Sequence, residues 1–316
     1  MKILYKNLLM NPNGFLKKTF IFYLLVVAIL VCAVYQTLFT CNTSASLITL
    51  QHVKKNEKSP DYIPRIIHRT WKDDRIPKKW EDAYDHCQGT HQDYKSMFWT
   101  DLKARNFINE EYPWFLSTFD GYSYPIQRAD AIRYFVLFHY GGIYMDLDVG
   151  CQAKSIRLDA LLKYPAVIPK TKPIGYSNDV LASTQHHDFY KTLILNLKRW
   201  DHWYIFPYLT VFFSTGPMYL NIQYWFYKGT DPIWVLSPEL YSEGSLRIFN
   251  HLEGSTWHNW DAYVIKFTYK VIGWFIMSSF LSLLVLFFII FKTVKWWRRV
   301  QLEKWVLRRK TSLVLG

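Results

Sequence analysis

Asp146 and Asp148 stand one residue apart in the stretch Gly141-Gly142-Ile143-Tyr144-Met145-Asp146-Leu147-Asp148-Val149-Gly150. Carboxylates that close repel each other unless positive charge lies between them. On an extended strand, residues two apart point to one side, so the pair is expected to project together from a strand end. In open α/β sheets that is where ligands bind. Hard oxygen donors at this spacing suit a hard divalent cation, Mn2+ or Mg2+. Such a cation relieves the repulsion and can neutralise a departing diphosphate. The simpler alternative is a solvated turn carrying two acids. The apolar run in front and the glycines on both sides weigh against it.

A different chemistry also fits the local pattern. Asp146-Leu147-Asp148-Val149 matches the strand-end motif of haloacid-dehalogenase-type phosphatases, in which the first Asp is a nucleophile. That chemistry needs a close acidic pair late in the domain, and none follows Asp148.

The segments around the pair must position it. Ile126 to His139 reads as a helix that the glycine pair stops. It places Asp130 and Arg133, three apart, on one face, with Arg128 on the flank. An intrahelical ion pair on a solvated surface is the simple reading of those residues. Ile143 to Met145 reads as a strand, as do the segments around Ile63–Trp71, Tyr94–Trp99 and Val167–Pro169. Asp101 to Phe119 reads as helical. Alternating helices and strands predict an α/β fold with a mostly parallel sheet.

Half of the 316 residues are hydrophobic, enough for one sizeable core with further segments. The formal charge is +13, but residues 41–265 carry 24 Lys/Arg and 24 Asp/Glu and are neutral. The excess sits wholly in the flanks, which argues against a nucleic-acid groove. Thr19 to Phe39 and Val271 to Phe291 contain no charged residue. Each run of 21 residues makes about 32 Å of helix, enough to cross a bilayer. The first run exceeds the core of a cleaved signal peptide and is read as an anchor. Lysines precede it and a Lys/Arg-rich tail follows the second, so both ends are expected to be cytosolic. The expected order is a cytosolic tail (1–18), a transmembrane helix (19–40), a stem (41–60), a lumenal domain (61–265), a second transmembrane helix (269–291) and a basic cytosolic tail (292–316).

Between Trp200 and Tyr227 aromatics crowd together, interrupted by Asp201, Pro207 and Gly216-Pro217. This is a poor third span. It reads as a segment resting on the membrane surface, where amphipathic rings concentrate, or as core. Cys87 and Cys151 either pair in an oxidising lumen or stay as buried thiols. Asn42-Thr43-Ser44 is a glycosylation sequon close to the first run.

Gln127-Arg128-Ala129-Asp130-Ala131-Ile132-Arg133 followed by Tyr140-Gly141-Gly142-Ile143-Tyr144-Met145-Asp146-Leu147-Asp148 resembles glycosyltransferase family 32, the DXD-containing sugar transferases. Ile63-Pro64, Ile67-His68-Arg69-Thr70-Trp71, Ser177-Asn178-Asp179 and His251-Leu252-Glu253-Gly254-Ser255-Thr256-Trp257 extend the resemblance over most of residues 61–260. With its two flanking apolar runs, the whole chain is similar to the fungal members that mannosylate inositol phosphorylceramide.

The resemblance implies a GT-A-like, Rossmann-like nucleotide-sugar domain that is lumenal, in a two-pass Golgi membrane protein. It implies a GDP-mannose donor, retention of the α configuration, a sphingolipid acceptor and a membrane-embedded regulatory subunit. No residue is marked as a covalent nucleophile, which fits a front-face displacement. By the same resemblance Asp148 is a direct metal ligand, Asp146 a metal ligand or a donor-ribose contact, and His251 a third ligand, with His258 as a rival to His251. Asp130 and Arg133 hold hydroxyls of the donor sugar. Trp71 stacks on the nucleobase beside Thr70, with Arg128 near the donor. Asn178 and Asp179 contact sugar or acceptor, and Ser255 and Trp257 close over the diphosphate. Another sugar, a glycan acceptor or a catalytically dead scaffold remain as alternatives.

Overall fold

In the computed structural model the chain divides into two units, Met1–Ser255 and Thr256–Gly316. The structure describes residues 46–152, 157–172 and 175–254, together with helical positions 278, 279, 282, 292 and 296. The first expected membrane-spanning run, the sequon and all but positions 278, 279 and 282 of the second run lie outside the described residues. Among the described residues no helix is long and apolar enough to cross a membrane.

The first unit is built on a seven-stranded sheet, numbered here with its helices in chain order. β1 (Ser46–Ile48) and α1 (Leu50–Asn56) precede β2 (Ile66–Trp71), α2 (Lys78–Thr90) and β3 (Lys95–Thr100). Next come α3 (Asp101–Glu111), α4 (Pro113–Gly121), α5 (Pro125–Tyr140), β4 (Gly142–Met145) and β5 (Val149–Cys151). The chain continues with α6 (Asp159–Leu162), β6 (Ala166–Pro169), β7 (Val180–Ser183), α7 (Asp188–Trp200), α8 (Pro207–Ser214) and α9 (Pro217–Phe226). β8 (Trp234–Leu236), a π-helical turn (Glu239–Glu243) and β9 (Phe249–His251) complete it.

The sheet order is β1-β8-β6-β7-β4-β2-β3, and only β7 runs antiparallel to its neighbours. β5 and β9 form a separate antiparallel pair. The mostly parallel α/β expectation therefore holds. Two expectations do not. Folded structure begins inside the segment read as a stem, because Ser46–Ile48 supplies the edge strand of the main sheet. The helix expected over 101–119 is two helices. Pro113 has no N–H to continue α3, and Tyr112 leaves the helical region at φ −135°.

β4 is buried on both faces. Tyr144 joins one apolar cluster, with α3, α4, α5, α7 and α9, and Ile143 and Met145 join the other. This is why the strand reads as a continuous apolar run rather than an alternating one.

The glycine pair links α5 to β4 at close quarters. Gly141 (φ +67°) caps α5 by donating to the Leu137 carbonyl at 3.0 Å. Trp99 Nε1 donates to His68 Nδ1 at 3.1 Å, which leaves His68 Nε2 to donate to the Gly141 carbonyl at 2.8 Å. Burial drives the His68 pKa down to about 4, so the ring is neutral. At Gly142 (φ +103°) a Cβ would lie 2.7 Å from the Ile66 carbonyl oxygen. Gly142→Ala is therefore expected to cost about 1–3 kcal/mol through strain at positive φ. A melting temperature equal to wild type would contradict that.

Candidate active site

The site forms where β4 ends. The β4–β7 ladder runs one step past Met145, since the Asp146 N–H donates to the Asp179 carbonyl at 2.8 Å. The chain then turns sharply, with the Val149 N–H donating to the Asp146 carbonyl at 3.0 Å. Asp146 and Asp148 therefore sit in a tight turn rather than on the extended strand that the two-residue spacing suggested. The strand stops at Met145 because the chain turns away there, while β2 beside it runs on to Trp71.

An arginine holds this turn from beneath. Arg69 of β2 is 2% exposed. Its Nη1 donates to the carbonyls of Asp146 (3.1 Å) and Val149 (3.0 Å), the two ends of the turn. The guanidinium lies over the Tyr84 ring, 5.3 Å from its centre. Burial lowers the Arg69 pKa to about 10, while Tyr84, Tyr144, Asp146 and Asp148 oppose the fall, so the group stays charged at neutral pH.

A second arginine holds the carboxylate. Arg133 of α5 is also 2% exposed. Its Nη2 lies 2.8 Å from Asp130 Oδ1 and 3.3 Å from Asp146 Oδ1. Nη1 donates to the Asn178 carbonyl, and the guanidinium lies 4.8 Å from the centre of the Tyr144 ring. Asp130 is satisfied in turn by Asn178 Nδ2 and Thr215 Oγ1, each at 3.1 Å. On the other side, Tyr144 donates its hydroxyl to Asp146 Oδ1 at 2.7 Å and meets Thr70 Oγ1 at 2.8 Å. One hydrogen-bonded chain thus runs from Thr215 and Asp130 through Arg133 and Asp146 to Tyr144 and Thr70.

Asp148 faces the late segment. Its carbonyl accepts from the Leu252 N–H at 2.9 Å. A Cβ on Gly254 would fall 1.5 Å from Asp148 Oδ2, so only glycine leaves room for the carboxylate. β9 pairs His251 with Val149. His251 Nε2 meets Asp179 Oδ2 at 3.2 Å, and the Tyr241 hydroxyl bridges both Asp179 oxygens at 2.7 and 2.6 Å.

Comparisons with known proteins bear on this geometry. The family model described as a glycosyltransferase sugar-binding region containing a DXD motif matches residues 77–168, the range that holds Asp130, Arg133, Asp146 and Asp148. Inositol phosphoceramide mannosyltransferase 3 of Schizosaccharomyces pombe is 41% identical over 263 residues, which cover 80% of this chain and 72% of that protein. The chain belongs to the DXD-containing glycosyltransferase family.

Inositol phosphoceramide mannosyltransferase 1 of the same yeast is 39% identical, covering 80% of this chain and 81% of the relative. Mannosyl phosphorylinositol ceramide synthase SUR1 of Saccharomyces cerevisiae is 46% identical over 212 residues, and the match spans only 55% of that protein's length. Among solved structures, PaToxG Glycosyltransferase superposes with a TM-score of 0.36 at 17% identity, over 54% of this chain and 72% of that one.

For a DXD glycosyltransferase, the electrostatics of the turn are those of a cation site. Burial raises the Asp146 pKa to about 7. Arg133 opposes the rise, while Asp148 and Asp179 add to it. Burial and Asp179 also raise Asp148. Burial pushes Asp179 upward too, but the hydrogen bonds from His251, Ser177 and Tyr241 outweigh it and leave Asp179 below the usual carboxylate range. Burial thus holds Asp146 and Asp148 back from ionising, while Asp179 is kept ionised by its own partners. Asp146 keeps 32% of its side chain accessible. The two carboxylates of the turn supply the hard oxygen donors that a divalent cation takes.

The remaining expected residues divide clearly. Thr70 joins the Tyr144 hydroxyl, as above. Trp71 ends β2 edge-on to Trp80 at 5.1 Å, and Trp80 Nε1 donates to the Glu253 carbonyl at 3.1 Å. Both therefore border the late segment. Arg128 turns away and donates to the Tyr122 carbonyl at 3.0 Å. Ser255, Trp257 and His258 lie outside the described residues. Cys87 and Cys151 form a disulfide that joins α2 to β5, three residues beyond Asp148.

Arg69, Tyr144, Tyr241 and Gly254 were not singled out as site residues. Arg69 alone left a signal, as a charged residue between Ile67 and Trp71 on one face of a buried strand.

Two outcomes follow from this geometry. Arg69→Met is expected to weaken Mn2+ binding by about 10–100-fold, as loss of an outer support does, measured by electron paramagnetic resonance titration. Unchanged affinity would show that the turn holds itself. The second concerns pH. A carboxyl raised to about 7 contributes stability at low pH that is lost as pH rises through 7, because ionisation in the fold becomes costly. A bound cation reverses that cost. The rise in melting temperature on adding Mn2+ should therefore be larger at pH 8 than at pH 6, and an equal rise at both would contradict the assignment.

Proposed function

We propose that this chain is a retaining α-mannosyltransferase that moves mannose from GDP-mannose to the inositol of inositol phosphorylceramide. One observation carries the reading: the Asp146–Asp148 turn, backed by the buried Arg133–Asp130 pair, in a chain that aligns over most of its length with proteins named for that transfer. In this reading the first unit is a GT-A-like nucleotide-sugar domain. It is lumenal, in a two-pass Golgi membrane protein with both termini cytosolic, and a membrane-embedded regulatory subunit accompanies it. The two uncharged 21-residue runs and their basic flanks support the topology.

The residues divide the work. Asp146 and Asp148 would hold the cation, Mn2+ or Mg2+, with His251 beside them and oriented by Asp179. Bound there, the cation supplies positive charge opposite the departing diphosphate. Arg133 favours the ionised form of Asp146, and the Tyr144 hydroxyl restricts its rotation. Asp130 lies under the same network, at the position that receives sugar hydroxyls in the family. Trp71 offers a ring edge-on to Trp80 at the mouth, where a nucleobase would stack. Among the described residues no Ser, Cys or Glu side chain joins the Asp130–Arg133–Asp146 network as a nucleophile. A displacement on the face the diphosphate leaves fits that arrangement. It gives an α-linked product from an α-linked donor.

The test uses the purified full-length protein with any tightly associated partner, Mn2+, inositol phosphorylceramide and a panel of nucleotide sugars. Mannosylated lipid from GDP-mannose alone, abolished by Asp146→Ala/Asp148→Ala, is the expected result. Product from another sugar would overturn the donor assignment. Equal product from wild type and the double variant would overturn the site.

A further inference from the structure

The aromatic segment Trp200–Tyr227 splits in the structure. Most of its rings are packed: Tyr219 is fully buried, and Tyr204 stacks on Phe213 at 5.4 Å. The loop joining α7 to α8 is different. It exposes Trp203 (62%), Ile205 (71%) and Phe206 (39%) in succession around the inward-turned Tyr204.

The loop is built rather than loose. The His202 N–H donates to the Trp200 carbonyl at 2.9 Å, the Phe206 N–H to the Tyr204 carbonyl at 2.7 Å, and the Tyr204 N–H to Thr210 Oγ1 at 3.0 Å. Ile205 is held at φ +68°. A β-branched residue is strained there, whereas Gly or Asn would be at ease. A solvent-facing position that accepts strain to keep an apolar side chain indicates that the side chain has a partner.

Topology places this loop at the edge of the sheet that carries the site. β7 is antiparallel to β4, so it starts beside Asp146 and ends at the far edge. α7 brings the chain back, and its C-terminus delivers the loop. α8 then leads directly to Thr215, whose hydroxyl bonds Asp130. Eight residues of helix separate Phe206 from Thr215, about 12 Å.

Chain length names the occupant. Only residues 40–45 lie between the first uncharged run and β1, and six residues reach at most about 21 Å. β1 enters the sheet level with Ile143, about 10 Å below Asp146. A bilayer holding the first run is therefore within reach of the site edge. Lys198 and Arg199, exposed in the last turn of α7, make no ion pair among the described residues and complement anionic headgroups.

We propose that the Trp203–Phe206 loop docks the site edge of this domain on the membrane surface, with Trp203, Ile205 and Phe206 in the interface and Lys198 and Arg199 against anionic headgroups. The inference rests on the proposed membrane anchorage. It places the site against the leaflet from which a lipid headgroup would enter.

The test places full-length protein, with any co-purifying partner, in nanodiscs containing a diazirine-bearing phosphatidylinositol and maps the photolabelled peptides. Labelling of residues 203–206 together with 19–39 and 271–291, and not of Phe226 at the far end of α9, is expected. Ile205→Asn should lose loop labelling while keeping or raising the melting temperature, because it relieves the strain. Trp203→Ser/Ile205→Ser/Phe206→Ser should raise the apparent KM for lipid acceptor by about tenfold or more, with Mn2+ binding unchanged. Labelled runs with an unlabelled loop would overturn the docking proposal and leave the anchorage standing. Unlabelled runs and loop would overturn both. A lower melting temperature for Ile205→Asn would make the side chain structural and contradict the proposal.

Discussion

The charge of Arg133 organises this structure. A guanidinium 2% exposed cannot be left unpaired in the core of an α/β sheet. It meets Asp130 on its own helix and Asp146 in the turn that follows β4. The same ion therefore fixes how α5 lies on β4 and where the first carboxylate of the turn points. Asp130 has no freedom to move away, because Asn178 and Thr215 occupy its oxygens. The core and the site share one set of hydrogen bonds.

Arg69 complements it through neutral partners. Arg133 grips a side chain, while Arg69 grips the two carbonyls that bound the turn. Between them the backbone and the carboxylate are held independently. That division suits a site where Asp146 must stay in place while its charge state is poised near neutrality. The disulfide to α2 and the β5–β9 pair then fix the chain beyond Asp148, and Gly254 leaves room for its carboxylate.

What could be read from the sequence was local. The helical run of α5, the glycine stop and the apolar β4 each depend on neighbours a few residues away, and all three are found. The mostly parallel sheet followed from their alternation. The carboxylate pair was recognised, but its conformation was not. A strand's alternation holds only while the chain stays in the ladder, and here the chain turns away after Met145 although β2 continues to Trp71. The stem reading failed because a three-residue strand such as Ser46–Ile48 leaves almost no periodic signal and owes its conformation to β8. Tyr241, His251 and Asp179 meet from segments that only the fold brings together, so no spacing could reveal them. The Cys87–Cys151 bond is of the same kind, 64 residues apart in sequence.

The central claim is that the Asp146–Asp148 turn is a cation-dependent nucleotide-diphosphate site. Calorimetric titration of GDP into the full-length protein, with and without Mn2+, tests it most directly when wild type and Asp148→Asn are compared. The account predicts GDP binding only with Mn2+ and only in wild type, with both proteins melting cooperatively. GDP binding of equal strength without the cation, or in Asp148→Asn, would contradict it.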